Sequence, residues 1–334
     1  MGGRFSLPRM AMGACSPGNV WRRLTLLLLG LLLQGSMASA MAEEARLRVW
    51  LVLSEPGGAY AELARTIQAG LGRTADLQTL VYAGHEETWS QAVKPGDLVV
   101  PLGLKATRAA VQLDQPVQVL AALLPRQAYE TLSNGISPSM RRSLSALVLD
   151  QPLERQLALV RLALPKADRV GVLLGSSTLG LKGELSRAAQ QVGMRLSVEV
   201  VESQSGLFAS QRELLRDNDI LLAIPDPQVL NQTTLMSYLI TAYRARVPIV
   251  GFSQSFSEAG ALASVFSTPE QIGRQLTEIV ADMANGRSSR QARLIYPRYF
   301  KVTVNRQVAR SLELEIAPDD WLQKQLEAKG GLTL

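Results

Sequence analysis

Polar residues that could bind a small molecule are concentrated in five short loops, each of which follows an apolar stretch of β-strand character. Glycines leave the backbone N–H groups of such loops open, and serine and threonine add hydroxyl groups, so the loops could bind an anion or a neutral polar group. Asp226 adds a negative charge that could pair with an ammonium group. The loops are residues 54–60, 101–107, 173–180, 224–231 and 251–260.

The chain lacks the residue patterns of the common enzyme classes. The loop at Gly175-Ser176-Ser177 has no lysine where a phosphate-binding loop carries one, and it misses the GxGxxG spacing of dinucleotide-binding proteins. No GxSxG nucleophile motif occurs. His85 is the only histidine, and it has no second histidine or cysteine with which to share a metal, so we expect it on the surface. We therefore expect no catalytic residue, no metal and no cofactor.

Residues 1–40 have the order of segments typical of a cleavable secretory signal peptide. Arg22 and Arg23 precede an apolar run of about ten residues, which is half of the roughly 20 needed to span a bilayer. The small residues Ala38-Ser39-Ala40 then supply a cleavage site. We expect a periplasmic protein that begins near Met41. Cleavage would remove Cys15, the only cysteine, so the mature fold uses no disulfide.

The charge distribution does not favour nucleic acid as a partner. The formal net charge is +6, but four arginines and no acidic residues lie in residues 1–40, which leaves +2 for the rest of the chain. No basic block or stripe occurs. The remaining chain of about 290 residues has the length of two ordinary domains.

From Leu47 onward, short β-rich apolar runs alternate with amphipathic helical segments, a pattern typical of parallel sheets with helices on both faces. The clearest helix follows Thr268. Thr268 and Gln271 are placed for a capping box, Pro269 suits the first helical position, and Gly286 suits the end. A new strand-loop-helix series begins near residue 150. The sequence therefore predicts an α/β protein with two doubly wound, parallel-sheet lobes.

Several segments resemble, in order, a family of ABC-transporter substrate-binding proteins that includes tryptophan- and tyrosine-binding proteins. These segments are residues 149–177, 221–231, 247–275 and 302–318, with a shorter match at residues 102–110. The resemblance implies the type I periplasmic-binding-protein fold, in which three crossovers form a hinge. It assigns residues 41–148 and about 261–292 to the first lobe, and residues 149–260 and about 293–334 to the second. The strand in "ALASVF" is thereby expected in the first lobe.

We expect the ligand between the lobes, because open α/β sheets bind ligands at the carboxyl ends of their strands. A carboxylate would meet the first lobe, and Asp226 would face the cleft and pair with an ammonium group. Gln228 is the candidate to replace a polar amide that this family carries where the chain has Pro227. The candidate ligand-binding residues are Ser54, Gly58, Lys105 and Thr107 in the first lobe, and Ser176, Ser177, Asp226, Gln228, Ser253 and Gln254 in the second.

These features predict a monomeric periplasmic protein that captures a small polar ligand, with an amino acid or similar zwitterion favoured, and delivers it to an inner-membrane ABC permease. The alternative is a periplasmic sensor of the same fold that signals to a membrane receptor or kinase. An intracellular repressor with similar lobes would need a helix-turn-helix ahead of Leu47, where the signal peptide lies instead.

Overall fold

The computed structural model describes Gly2 and residues 46–72, 74–81, 89–203, 205–287 and 294–330. The expected signal peptide and His85 lie outside these residues. The strands are β1 (Arg48–Leu53), β2 (Asp76–Val81), β3 (Leu98–Leu102), β4 (Gln118–Ala122), β5 (Leu144–Leu147), β6 (Arg169–Gly175), β7 (Arg195–Val201), β8 (Ile220–Leu222), β9 (Ile249–Gly251), β10 (Ala263–Phe266), β11 (Leu294–Ile295) and β12 (Lys301–Val304).

Helices separate most of these strands. They are α1 (Gly58–Leu71), α2 (Leu104–Ala110), α3 (Arg126–Asn134), α4 (Pro138–Ser143), α5 (Leu153–Ala163), α6 (Lys182–Gln191), α7 (Leu207–Asp217), α8 (Leu235–Arg244), α9 (Gln254–Ala259), α10 (Pro269–Ala284), α11 (Arg306–Ser311) and α12 (Asp319–Gly330), with a short 3-10 helix at Leu179–Leu181.

The strands form two separate six-stranded sheets, which define the two lobes. The first sheet has the order β11-β5-β4-β3-β1-β2 and is parallel throughout; the second has the order β12-β10-β9-β8-β6-β7, in which β12 is antiparallel to β10. Leu53 at the end of β1 lies opposite both Val81 and Leu102. The carboxyl ends of these strands therefore reach the same edge, which positions the loops that follow them.

Helices cover both faces of each sheet, as the alternation of apolar runs and amphipathic segments predicts. In the first lobe, α1 and α10 pack side by side on one face, and a Cβ placed on Gly273 would lie only 2.8 Å from Thr66 Cβ. The small glycine thus allows close approach of the two helices. Their buried apolar residues complete one core cluster with β1: Leu63, Ile67 and Leu71 from α1, and Ile272, Leu276 and Val280 from α10.

The assignment of the strand in "ALASVF" to the first lobe is wrong. This strand, β10, pairs in parallel with β9 and antiparallel with β12, so it belongs to the second sheet. The helix that follows it, α10, packs in the first lobe, and β11 pairs with β5 in the first sheet. After residue 266 the chain therefore contributes α10 and β11 to the first lobe, and both limits of this return lie later than predicted.

The capping box at the start of α10 is confirmed. The Thr268 hydroxyl accepts a hydrogen bond from Gln271 N, and Gln271 Oε1 accepts one from Thr268 N. Pro269 occupies the first turn, and Gly286, at φ +66°, follows the end of the helix. These local contacts fix where the chain enters and leaves the helix.

Asp97 lies at the amino edge of the first sheet, where it connects the starts of β1 and β3. Its carboxylate accepts hydrogen bonds from Arg48 Nε at 3.1 Å, Trp50 Nε1 at 2.8 Å and Lys94 N at 2.9 Å. Burial alone would raise the pKa of Asp97, but these hydrogen bonds and the Arg48 charge together lower it below its ordinary value. The ionised carboxylate is therefore the form that stabilises the fold.

Replacing Asp97 with asparagine is expected to lower the free energy of unfolding by about 2 kcal/mol at pH 7, because the donors lose a charged acceptor. The stabilisation from a depressed pKa is fully present above the unfolded value of about 3.9 and disappears as pH falls through the folded value. Urea unfolding of both proteins from pH 7 to pH 2.5 should therefore show a difference that shrinks below about pH 4. A difference that stays constant over this range would contradict the assigned role.

Candidate functional site

The predicted ligand-binding loops lie at the carboxyl edges of the two sheets, where open α/β sheets bind ligands. The two edges come together at Arg126, which begins α3 after β4 of the first sheet. Its Nη1 donates to Glu184, which lies in the first turn of α6 after β6 of the second sheet. The space bordered by these loops is the candidate ligand-binding cleft.

In the first lobe, two predicted ligand-binding residues have their side chains engaged within the protein. Ser54 is 5 % exposed, and its Oγ accepts a hydrogen bond from Ala106 N at 3.0 Å. Thr107 is fully buried, and its Oγ1 donates to Gly103 O at 2.7 Å. Both side chains fix the start of α2 rather than presenting hydroxyl groups to a ligand. This differs from the ligand-binding role predicted for them, because both side chains are buried and make hydrogen bonds within the protein.

Lys105 and Gly58 lie at the exposed part of the same edge. Lys105 Nζ is 3.3 Å from Glu55 Oε1, and both side chains are more than half exposed. Gly58 begins α1 at φ +58°, a conformation that favours glycine. Because Glu55 already balances the charge of Lys105, a carboxylate would meet a weaker attraction here than the sequence indicates.

In the second lobe, Asp226 ties together the loops after β6 and β8. It is 2 % exposed, and its carboxylate accepts hydrogen bonds from Gly175 N at 2.8 Å, Thr178 Oγ1 at 2.5 Å and Gln228 N at 2.8 Å. Asp226 was predicted to face the cleft with a free carboxylate, but its carboxylate is buried and already accepts three hydrogen bonds. Donors from two loops surround it, and it stabilises the loops that form the cleft wall.

Gln228 extends this connection toward the exposed side of the loops. Its Oε1 accepts from both Ser176 N and Ser176 Oγ, at 2.9 and 3.0 Å, and its Nε2 donates to Glu202 O. The adjacent Ser177 is exposed. The structure thus brings Ser176, Asp226 and Gln228 into one cluster and leaves Ser177 at its solvent-facing side.

Ser253 and Gln254 lie at the start of α9, after β9. The Ser253 hydroxyl accepts a hydrogen bond from Phe256 N and caps the helix. Gln254 is exposed and donates to Glu258 one turn later. Ser253 therefore has a capping role, and Gln254 keeps an exposed position at the edge of the second sheet.

A chain of hydrogen bonds joins the three crossovers between the lobes. Gln151 Nε2 in the first crossover donates to Ser267 Oγ in the second, which donates to Tyr299 O in the third. Arg155 Nη1 donates to Gln151 Oε1 and Pro297 O, and burial lowers the pKa of Arg155 to about 10. The three crossovers are therefore joined in one connected polar unit.

Arg126 forms the main charged contact on the cleft side of this hinge. Its Nε donates to Glu130 Oε1 at 2.7 Å, and its Nη1 donates to Glu184 Oε2 at 2.8 Å and to the Tyr296 hydroxyl at 2.6 Å. The backbone N–H of Arg126 donates to Asp150 Oδ2. Burial raises the pKa of Asp150, and burial also raises the pKa of Tyr296, to about 12.

Arg126 and Glu184 were not among the predicted site residues. A signal for Arg126 exists in the sequence, because it follows directly on the apolar strand 118–122 and Pro125, at the same kind of strand end as the five selected loops. Glu184 lies beyond the polar loop after β6, inside a helix. No local pattern indicates that these two side chains meet.

A groove of about 960 Å³ lies elsewhere in the first lobe, between α2, α3 and α4. Val117 and Ser143, which precede β4 and β5, form part of its lining. The groove therefore opens toward the amino edge of the sheet, opposite to the edge where such sheets bind ligands. We place the candidate site in the interlobe cleft.

In the described ranges, no helix is both long enough and apolar enough to cross a bilayer. In the same ranges, no group of three or more histidine, cysteine, aspartate or glutamate side chains is arranged to hold a metal ion.

Solved structures with the same architecture include a conserved domain protein from Vibrio cholerae (18 % identity, TM-score 0.53, covering 83 % of this chain and 98 % of that one). A domain from Streptococcus pneumonia in complex with L-Trp is 16 % identical, with a TM-score of 0.54 and the same coverages. The ligand-free, open form of a substrate-binding protein with adhesive properties from Clostridium difficile is also 16 % identical, with a TM-score of 0.63 over 82 % of this chain and 97 % of that one. These likenesses show the type I periplasmic-binding-protein fold.

No curated protein matches the sequence significantly. A family model described as ABC transporter substrate binding protein matches residues 97–327, which span most of both lobes and all of the hinge. The match includes the loops after β4, β6, β8 and β9 that border the cleft. The chain therefore belongs to the ABC transporter substrate binding protein family.

Proposed function

We propose that this protein is exported to the periplasm, captures a small polar ligand between its two lobes and delivers it to an inner-membrane ABC permease. The observation that carries the proposal is the arrangement of two sheets whose carboxyl edges meet across a three-crossover hinge. Family membership supports a solute-binding role. An amino acid or similar zwitterion is the favoured ligand class, and the L-Trp complex of a protein with the same fold is consistent with it.

Hinge closure explains how such a protein would bind tightly without catalysis. Two lobes that rotate toward each other remove water from the ligand, so hydrogen bonds and paired charges inside the cleft gain strength. The partner membrane protein then distinguishes the closed, loaded form from the open form by its shape. The polar chain through Gln151, Ser267 and Tyr299 would guide this motion, since it connects all three crossovers.

The proposal predicts a ligand-dependent shift in stability together with closure. The full-length chain should be expressed with its leader, and the periplasmic fraction should contain protein that begins near Met41. Thermal unfolding would then be measured with amino acids, sugars, purines and small dicarboxylates. A compound at a hundred times its dissociation constant adds about 2.7 kcal/mol of stability. Small-angle X-ray scattering should show a smaller radius of gyration with the same compound.

Three outcomes would each contradict a part of this proposal. Stabilisation without any change in scattering would exclude closure as the binding motion. Normal uptake of the stabilising compound by cells that lack the gene, together with a lost transcriptional response to it, would identify a sensor instead of a transport protein. Retention of the uncleaved chain in the cytoplasm would contradict export.

A further inference from the structure

The Arg126–Glu184 ion pair joins the two lobes at the edge where ligands bind. Arg126 is the first residue of α3, separated from the end of β4 by three residues, and Glu184 lies in the first turn of α6, beyond β6. The guanidinium Nη1 is 2.8 Å from Glu184 Oε2 and 3.1 Å from Oε1. One positive and one negative group therefore face each other across the cleft, one from each lobe.

The guanidinium of Arg126 keeps binding capacity beyond this pair. Nε and Nη1 make its hydrogen bonds to Glu130, Glu184 and Tyr296, whereas Nη2 makes none with the described residues. The side chain is 20 % exposed. Burial by itself lowers the pKa of Arg126, but the hydrogen bonds to Glu130 and Glu184 outweigh it and raise the pKa above its ordinary value. The group is thus held in place and charged, with Nη2 donating to none of the described residues.

Glu184 has complementary capacity. A carboxylate can accept about four hydrogen bonds, and Glu184 accepts only from Arg126 Nη1 among the described residues. Its side chain is 25 % exposed. An ammonium group could therefore bind the remaining lone pairs without displacing Arg126 completely.

The charge around Arg126 indicates which kind of ligand fits. Two carboxylates, Glu130 and Glu184, lie within hydrogen-bonding distance of the single guanidinium, which leaves the cluster with a negative excess. An anion alone would be repelled by this excess, and a cation alone would leave the two Nη2 donors unused. A molecule with both charges on one carbon can donate to Glu184 and accept from Arg126 at the same time.

We propose that Arg126 and Glu184 are the residues that recognise the ligand, and that the ligand is an α-amino acid whose carboxylate binds Arg126 and whose ammonium group binds Glu184. This inference rests on the proposed solute-binding function and names the ligand class and charge contacts of that site. The two contacts come from different lobes, so a bound ligand adds a second link beside the ion pair that already joins them, and this favours closure. The pair takes the role first predicted for Lys105 and Asp226, which are engaged by Glu55 and by backbone donors.

The test uses the mature protein and two variants, Arg126→Met and Glu184→Gln. Binding of the twenty standard L-amino acids would be measured by thermal shift and by isothermal titration calorimetry. For the amino acid that binds the wild type most tightly, Arg126→Met should weaken binding at least 100-fold and Glu184→Gln at least 10-fold. The C-amide and N-acetyl forms of that amino acid should bind the wild type at least 10-fold more weakly than the parent compound. Arg126→Met should no longer discriminate against the amide, and Glu184→Gln should no longer discriminate against the N-acetyl form.

Arg216→Met and Glu213→Gln are matched controls, because Arg216 Nη1 and Glu213 Oε2 form an exposed ion pair of 2.9 Å on α7, away from the cleft. Both controls should bind as the wild type does. Wild-type affinity in both Arg126→Met and Glu184→Gln would overturn the assignment while leaving the solute-binding function intact. Binding of a sugar or a purine without binding of any amino acid would overturn it as well. If Arg126→Met does not fold, the Glu184→Gln measurements with the N-acetyl form still decide the case.

Discussion

Replacing Asp226 with alanine is expected to lower the free energy of unfolding of the unliganded protein by about 4 kcal/mol. The change removes the acceptor of three hydrogen bonds, from Gly175 N, Thr178 Oγ1 and Gln228 N, at a position that is 2 % exposed. Hydrogen bonds to a charged group contribute roughly 1.5 to 3 kcal/mol each, and their losses at one site are not additive. The melting temperature should fall by about 10 °C.

Asp217→Ala on the surface of α7 is the control for this change, and it should alter the free energy of unfolding by no more than about 0.5 kcal/mol. Asp226→Asn should lie between alanine and the wild type, because one oxygen remains to accept. Denaturant unfolding of all four proteins without ligand gives the comparison. An Asp226→Ala protein with wild-type stability and a tenfold weaker affinity would support the earlier prediction that Asp226 faces the cleft.

Replacing Gly103 with alanine is expected to lower the free energy of unfolding by about 3 kcal/mol. Gly103 lies between β3 and α2 at φ +87° and ψ 170°, a backbone region that is essentially restricted to glycine. An added Cβ would also lie 2.6 Å from Tyr60 Cε1 and 2.8 Å from Ser54 Oγ. Because Ser54 Oγ accepts from Ala106 N, the collision would displace the contact that holds the start of α2.

Gly193→Ala is the control that separates the cost of a positive φ from the cost of the close contacts. Gly193 has φ +67°, but a Cβ there would have no heavy atom within 4 Å, so only the cost of the left-handed backbone applies, about 1 to 2 kcal/mol. Urea unfolding should show a larger loss of stability for Gly103→Ala than for Gly193→Ala. Equal losses for Gly103→Ala and Gly193→Ala would show that the contacts with Tyr60 and Ser54 carry no energy.

The elements of this fold were accessible from the sequence where the signal is local. The capping box of Thr268 and Gln271 depends on residues three apart, and the structure confirms it. The two-lobe α/β architecture followed from alternating short strands and amphipathic helices, which is a periodic signal. The capping residues are three positions apart, and the apolar pattern repeats within each strand or helix. Both signals are therefore contained in short segments of the sequence.

The sheet to which a strand belongs and the partners of a side chain were harder to predict from the sequence than the local elements. The strand at residues 263–266 has the same apolar character whichever sheet it joins, so its sequence could not exclude the first lobe. Asp226 follows a buried strand, as ligand-binding residues do, but the donors from Gly175 and Thr178 lie about 50 residues earlier. Arg126 and Glu184 are 58 residues apart, and only the meeting of the two sheets brings them together.

The position of α10 determines the order in which the protein can fold as it is synthesised. The core cluster of the first lobe contains Leu63, Ile67 and Leu71 from α1, but also Ile272, Leu276 and Val280 from α10, about 200 residues later. The ribosome must therefore make almost the whole chain before the first lobe can close its apolar face. Contacts of such long sequence separation slow folding. This apolar face of the first lobe thus stays uncovered in the nascent chain until α10 has been made.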